Sequence, residues 1–429
     1  MTRKLAATAA LMLGAALVGG CTDDDGGDGD GPVELTFWSW VPNIELAVDA
    51  WNAANPDIQV TVSEQAAGDD LVTLVITAAG ADEAPDLVQV EYQALPTLVS
   101  NDVLADISEY ASGVSDEFAE GLWQQVTLGT DAVYAIPQDS GPMMFYYRAD
   151  IFEELSLTPP ATWEEFAETA RTVREERPES YLMTFSATDP GWFAGLSQQA
   201  GASWWNVSGD AWNVSINDPA TLRVAEYWQG LVDQDLVDDQ PMYTPEWNAA
   251  LNDGTQIGWV SAVWGPGVLA GNAADTAGRW RMAPLPQWSE GEHVTGNWGG
   301  SSTGVTTDSE HVEAATEFAI WLNTSPEAIE ILVREGGLYP AATSGQTGPA
   351  LAEPPAFFSE QTDFYELASE IADTAAGFTW GPNVNVTYDA YRDAFGAAIT
   401  DGTPFTDAVN QMHQTTVEDM QRQGFTVTG

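Results

Sequence analysis

The order of apolar and polar positions near the start of the chain predicts a strand, a helix and a second strand. Residues 33–38 alternate between apolar and polar side chains, residues 44–54 carry apolar side chains at helical spacing, and residues 58–62 alternate again. This order indicates a parallel βαβ unit. A third strand is predicted at residues 84–90, behind Pro85. The pattern therefore predicts an α/β protein.

A second informative stretch begins at Tyr134. The apolar residues 134–136 predict a short strand, residues 137–142 carry a dense turn signal, and the aromatic run 143–147 predicts a new strand. Two helices separated by prolines are expected to follow. Thr162 and Glu165 have the spacing of a capping box at the start of the second helix.

The remainder of the chain continues the alternation of strands and helices. Its predicted elements are a strand at 182–185, a loop-rich segment at 201–216, a helix at 218–231, a strand at 256–260 with a loop at 261–267, a crossing segment at 281–286, a glycine-rich loop at 295–302, a helix at 311–323 and a closing helix at 406–423.

These motifs carry a family resemblance. The ordered pieces YAIP, M-x-F-Y-Y-R-x-D-I-F and P-x-T-W-E-E-F, together with an early W-N-x-x-N-P-x-I-x-V, closely resemble the extracellular solute-binding proteins of sugar ABC importers, the maltose-binding-like family. The resemblance implies a two-lobed, periplasmic-binding-protein-like α/β fold. Each lobe would be a mainly parallel sheet flanked by helices, and hinge segments would cross between the lobes.

The same resemblance implies approximate bounds for the lobes. Lobe 1 would comprise residues 33–138 and 284–325, and lobe 2 residues 139–283 and 326–429. A chain of 429 residues is long enough for two such domains.

Charge excludes some partners. Sixty-five acidic residues against twelve basic ones give a formal charge of −53. Nucleic acid is not expected as a partner, because its binding requires basic patches that displace counterions from the phosphates. The acidic excess has two explanations that stay open, a compositional bias and adaptation to high salt, where repulsion between surface charges is screened.

The amino terminus has the features of a secretion signal. Arg3 and Lys4 precede an apolar stretch too short to span a bilayer, which indicates a signal peptide at residues 1–20. Val18-Gly19-Gly20-Cys21 resembles a bacterial lipobox, which implies cleavage before Cys21 and lipid attachment to it. Residues 21–32 then read as a flexible acidic tether, and we prefer this interpretation to a calcium site because no distal glutamate stands at the required offset.

Candidate ligand contacts follow from position. In parallel sheets ligands bind at the carboxyl ends of strands, and glycine-rich loops allow close approach of the backbone. The residues expected to contact a ligand are Trp38, Trp40, Glu91, Tyr92, Asp139, Trp192, Trp264, Trp298, Gly299 and Trp380. Trp264 is the strongest stacking candidate. Two alternatives stay open: Glu91 could cap a helix, and a tryptophan at a strand end is often a core residue.

Aromatic rings and carboxylates suit a neutral sugar, whose C–H faces pack on rings and whose hydroxyls donate hydrogen bonds. No nucleophile elbow, phosphate loop, dinucleotide fingerprint or zinc-binding histidine pair occurs in the sequence, and we expect no cofactor or metal. The family resemblance implies binding and release without turnover, so we expect no enzyme. The expected partners are a carbohydrate and the subunits of a membrane ABC permease, with the protein a lipid-anchored monomer outside the cytoplasmic membrane. A polyol or osmolyte, a polyamine-type cation and, less favoured, the activity of a secreted glycoside hydrolase remain as alternatives.

Overall fold

The structure, a computed structural model, describes residues 31–208 and 211–428. The predicted signal peptide, the lipid attachment at Cys21 and the tether as far as residue 30 lie outside the described residues. Within those two ranges, no helix combines the length and the apolar character that crossing a membrane requires.

The strands are β1 Val33–Ser39, β2 Ile58–Glu64, β3 Leu87–Glu91, β4 Ala135–Arg148, β5 Trp205–Ser208, β6 Ala211–Val214, β7 Gly258–Ala262, β8 Trp280–Pro284, β9 Asn297–Val305 and β10 Val427–Thr428.

The α-helices are α1 Glu45–Ala54, α2 Asp69–Ala79, α3 Leu95–Ser100, α4 Ser108–Ala111, α5 Glu120–Thr127, α6 Ala149–Glu154, α7 Trp163–Glu176, α8 Pro190–Gln199, α9 Pro219–Asp233, α10 Pro245–Asp253, α11 Gly265–Asn272, α12 Val312–Thr324, α13 Pro326–Arg334, α14 Thr343–Gln346, α15 Phe364–Ala372, α16 Val384–Asp401 and α17 Phe405–Arg422. Short 3-10 turns occupy Tyr92–Ala94, Ser112–Glu117, Ala274–Thr276, Pro349–Leu351 and Ala356–Phe358.

Local sequence explains several helix starts. The Thr162 hydroxyl accepts from the Glu165 amide while the Glu165 carboxylate accepts from the Thr162 amide, so the predicted capping box is confirmed. Asp218 caps α9 by accepting from the Thr221 amide, also as predicted. Proline follows the cap in α9, where its missing N–H costs no hydrogen bond.

One long strand, β4, belongs to both lobes. Its first half pairs with β9 in a sheet of order β2-β1-β3-β9-β4, and its second half pairs with β7 and β8. The β1 pairings with β2 and β3 are parallel, whereas β9, β7 and β8 all pair antiparallel with their neighbours. The sheets therefore have mixed orientation, and in the large sheet the parallel character that we expected is limited to the β2-β1-β3 edge.

The turn predicted at residues 137–142 does not form. The strand runs through it, with register shifts between Pro137 and Asp139 and between Ser140 and Pro142. The residues that signal a turn instead shift the register with β9 without ending the strand. Such local irregularities bend and twist a strand, which allows β4 to leave one sheet and enter the next.

A second prediction is also wrong. Residues 201–216, expected to be loop-rich, contain the antiparallel pair β5 and β6, and β10 extends it as a small third sheet. Trp205 and Val214 face each other in this hairpin. Tryptophan and valine favour strands, and this propensity outweighs the glycine between the two strands.

Contacts along the chain favour crossings between the lobes that lie later than the bounds expected from the sequence. The Trp163 amide donates to Gln287 O at 3.0 Å, which ties the chain after β8 to α7 of lobe 2. Helix α13 packs on α1 of lobe 1, and the Gly278 amide donates to Phe357 O at 2.9 Å, which returns the chain to lobe 2. We therefore propose that the second crossing lies at the start of β9 and the third between Leu351 and Ala356.

Candidate functional site

A cavity of about 430 Å³ lies between the lobes, beside the paired hinge strands β4 and β9. This volume is within the usual range for small-molecule sites. Seven of the residues predicted from the sequence line it, namely Trp40, Glu91, Asp139, Trp264, Trp298, Gly299 and Trp380.

Lobe 1 contributes residues from the carboxyl ends of its parallel strands. Trp40 follows β1, and its amide donates to the Gln89 side chain at 3.1 Å, while the Ser39 hydroxyl donates to the same oxygen at 2.7 Å. Glu91 ends β3 and also lines the cavity. The parallel β1–β3 pairing thus brings an aromatic ring and a carboxylate to one edge of the sheet, as the sequence predicted.

The hinge contributes a glycine pair within β9, where we had expected a loop. Gly299 and Gly300 have φ values of +76° and +92°, in the region that favours glycine. A Cβ on Gly300 would lie 2.9 Å from the Tyr92 ring. The backbone here therefore takes a path that a larger residue would obstruct.

Trp264 and Trp298 form a fixed aromatic corner on the wall of the cavity. Their ring centroids are 4.8 Å apart with an interplanar angle of 69°, and the Trp264 indole N–H donates to Trp298 O at 3.0 Å. Gly191 leaves room for the Trp298 ring, because a Cβ there would lie only 3.0 Å from it. Both rings are held before any ligand arrives, which reduces the entropy lost on binding.

Asp139 lies at the hinge and is 9% exposed. Its carboxylate accepts from the Ser301 amide at 2.7 Å and from the Ser301 hydroxyl. Burial raises the pKa of Asp139 to about 6, and the Ser301 hydrogen bonds oppose part of that rise.

Asp189 is a second carboxylate at the cavity, on lobe 2. It caps α8 by accepting from the Trp192 amide at 3.1 Å. Burial raises the pKa of Asp189 to about 6. The hydrogen bond from the Trp192 amide and the charge of Arg392 lower this pKa and offset part of the rise. Arg392 also lines the cavity and pairs with Asp389 at 2.8 Å.

Three predicted residues do not line the cavity. Trp192 is fully buried within α8, where it packs against Phe185 and Trp228 and donates to Val260 O at 3.2 Å. Our expectation for Trp192 is therefore corrected: the Asp-Pro pair before it begins a helix whose third position faces the core.

Trp38 and Tyr92 also lie apart from the ligand space. Trp38 is half-buried in β1 and packs against the lobe 1 core, whereas Trp40 lines the cavity. Tyr92 is 2% exposed, and its hydroxyl donates to Asp139 O at 3.0 Å. Tyr92 therefore supports the backbone of the hinge strand β4 rather than lining the cavity, and its assignment as a direct ligand contact is corrected.

Several lining residues were not predicted. They include Gln93, Thr188, Asp189, Asn297, Ser301 and Arg392. Asp189 could have been found, because aspartate before proline is a signal for a helix start. Arg392 lies inside the long helix α16, and no local pattern marks which of its faces meets the cleft.

The site therefore combines aromatic faces with carboxylate acceptors. Asp139 is buried at the hinge, and Asp189 is partly buried on lobe 2. Such an arrangement can bind a molecule that has apolar faces and hydroxyl donors, and a molecule that contacts both lobes would hold them together.

Known proteins resemble this chain over most of its length. The lacto-N-biose-binding protein of an ABC transporter from Bifidobacterium longum superposes with a TM-score of 0.84 at 28% identity, covering 94% of this chain and all of that one. An arabinooligosaccharide-binding protein of Halalkalibacterium halodurans is 25% identical over 80% of this chain and 78% of its own. A lactose-binding protein of Rhizobium radiobacter is 25% identical over 86% and 87%.

These likenesses confirm the predicted fold class. The family model for the bacterial extracellular solute-binding proteins matches residues 40–329, more than half of the chain. The match starts at Trp40 and ends within α13, so it contains the hinge strands and the aromatic corner. The chain belongs to the bacterial extracellular solute-binding proteins, a family that acts outside the cytoplasm.

Proposed function

We propose that this protein binds a mono- or oligosaccharide between its lobes and delivers it to a membrane ABC permease. The observation that carries the proposal is the pairing of the Trp264–Trp298 corner with the carboxylates of Asp139 and Asp189 around one cavity. Sugar C–H faces pack on such rings, and sugar hydroxyls donate to such carboxylates.

The relatives support a carbohydrate rather than another solute. The three proteins above are named for lacto-N-biose, arabinooligosaccharides and lactose, and they cover most of this chain. A neutral polyol shares the same chemistry and remains the main alternative. A polyamine stays as a further alternative, because the carboxylates of Glu91, Asp139 and Asp189 would attract it while the guanidinium of Arg392 would repel it.

The ligand is tested by a thermal-shift panel of the purified protein. Lacto-N-biose, lactose, arabinobiose, sorbitol and spermidine are each added at increasing concentration. A bound ligand raises the melting temperature by mass action, by an amount that grows with its concentration. We expect a sugar to give the largest rise. A larger rise with sorbitol or with spermidine would overturn the sugar assignment.

Delivery to a permease does not require turnover, so we propose that the protein is not an enzyme. Incubation with the best-binding sugar should leave that sugar intact, as measured by chromatography over a day. Appearance of shorter sugars at a rate that scales with protein concentration would instead identify a glycoside hydrolase.

The membrane attachment is proposed from the sequence alone. Cys21 would carry the lipid, residues 21–32 would form the tether, and the folded part would act as a monomer. We expect the full-length protein to fractionate with membranes and Cys21→Ser to appear in the extracellular fraction. Equal membrane association of both proteins would contradict a lipid at Cys21.

A further inference from the structure

The segment 378–382, which we call the strap, is fixed firmly to lobe 2. Phe378 packs edge-on against Trp204 with centroids 5.7 Å apart. Gly381 lies directly on the Trp205 ring, since a Cβ there would come within 2.2 Å of it. The strap is therefore a rigid part of lobe 2 rather than a loose loop.

The strap reaches across the cleft to lobe 1 through two hydrogen bonds. The Trp380 indole N–H donates to Gln125 Oε1 at 3.3 Å, and the Thr97 hydroxyl donates to Pro382 O at 3.0 Å. Gln125 lies on α5 and Thr97 on α3, both elements of lobe 1. Trp380 is consequently both a wall of the cavity and a contact between the lobes.

A second cavity, of about 270 Å³, lies beside the hinge strand β4. Asp139 lines the first cavity and the next residue, Ser140, lines the second. Gln125 lines the second cavity, whereas its partner Trp380 lines the first. Asn297 lines both cavities, which places them side by side.

We propose that the Trp380–Gln125 pair is a partition that limits the length of the bound sugar. The inference rests on the proposed function. With the pair in place, a sugar chain in the first cavity ends against the Trp380 ring. If Gln125 is shortened, the ring loses its acceptor and part of the wall is removed, so a further sugar unit can extend toward the second cavity. Gln125 would then act as a positioning residue that determines specificity without touching the ligand.

The test compares ligands that differ by one sugar unit. Association constants are measured by calorimetry for lactose and 4′-galactosyllactose, and for β-1,6-galactobiose and β-1,6-galactotriose, with wild type and with Gln125→Ala. We expect the trisaccharide-to-disaccharide ratio to rise on the order of fivefold in Gln125→Ala, about the value of one neutral hydrogen bond.

The chain offers a matched control in the preceding residue. Gln124 is exposed on the same helix and bonds within lobe 1 to Glu120 at 3.1 Å, so Gln124→Ala should leave the ratio unchanged. Gln125→Glu keeps an acceptor and most of the wall, and should restore the wild-type ratio. A merely structural role for Gln125 would lower both affinities together and would not move the ratio.

The outcomes separate the two proposals. If wild type binds sugars of this panel and the ratio is the same in Gln125→Ala as in Gln124→Ala, the partition is refuted while sugar binding stands. If wild type binds none of the panel or its longer homologues, the proposed function fails and the length filter fails with it.

Discussion

Two tryptophans next to one glycine, Gly191, show what separates a core aromatic from one that lines the cavity. Trp192 follows Gly191 in α8 and is fully buried, whereas the Trp298 ring packs on Gly191 from the other side and is 8% exposed at the cavity. Trp192 lies in a helix within an apolar cluster, while Trp298 precedes two glycines in the left-handed region. The backbone around a ring, rather than its residue type, determines its role.

The largest effect is expected on stability, at Trp192, because its ring packs in the core and does not line the cavity. Trp192→Ala removes a fully buried ring and leaves a cavity, so the free energy of unfolding should fall by about 3–5 kcal/mol. Chemical denaturation of the variant measures it. The affinity of the folded protein for its sugar should remain close to the wild-type value. A large loss of affinity at unchanged stability would reverse the roles of the two tryptophans.

Trp264→Ala should show the opposite pattern. The ring is only half-buried, but it lines the cavity, and its indole N–H donates a hydrogen bond to Trp298 O. We expect sugar affinity to fall about 10- to 100-fold, the range that loss of a central aromatic contact produces. Calorimetry measures the affinity, and the melting temperature of the unliganded protein is the control. Unchanged affinity would remove Trp264 from the site.

The contrast between local backbone signals and three-dimensional packing also explains how much of the fold and of the site could be predicted from the sequence. Periodicity and caps were sufficient for β1, α1 and β2, for the capping box at Thr162 and for the cap at Asp218, because those signals are local. Strand ends identified Trp40 and Glu91 as cavity residues, because parallel pairing is itself predictable. Where a residue's position depends on nearest neighbours in sequence, the prediction was right.

Non-local packing accounts for the failures. Residues 137–142 have turn chemistry, yet pairing with β9 keeps them extended, and no sequence window contains both strands. Trp192 and Trp264 look alike in sequence, because each is flanked by glycine and proline. Only the three-dimensional environment distinguishes Trp192, which faces the core from within α8, from Trp264, which lines the cavity just before α11. Arg392 and Asn297 were missed for the same reason.

Binding should depend on pH through the two cavity carboxylates whose pKa is raised, Asp139 and Asp189. With the pKa values of Asp139 and Asp189 raised to about 6, both carry protons more often as the pH falls from 7 to 5. Sugar hydroxyls donate more strongly to a carboxylate than to a carboxylic acid, so affinity should decrease over this interval by on the order of tenfold. Calorimetry at pH 5, 6 and 7.5 measures this. Asp139→Asn and Asp189→Asn should each flatten the profile, and affinity that increases at low pH would contradict it.

Stability of the unliganded protein should change in the reverse direction. Between the usual carboxyl pKa of 3.8 and about 6, the unfolded chain releases the Asp139 proton while the folded protein retains it. The free energy of unfolding contributed by this group therefore falls as the pH rises through that window. Asp139→Asn removes this contribution, so the difference in stability between wild type and variant should itself vary with pH.

The smallest expected effect concerns the backbone beside the aromatic corner. Gly299 has a φ of +76°, and a Cβ there would lie 3.5 Å from the Trp264 indole nitrogen, an ordinary contact distance. Gly299→Ala should therefore cost only the backbone penalty of about 1 kcal/mol in the free energy of unfolding, without displacing the ring. Gly300→Ala is the stricter comparison, because its Cβ would meet the Tyr92 ring at 2.9 Å and press on the residue that supports Asp139. If the two variants lose the same stability and affinity, the loss at both positions comes only from the positive φ that glycine tolerates best. A larger loss in Gly300→Ala would show that this path is also required to seat Asp139 against the cavity.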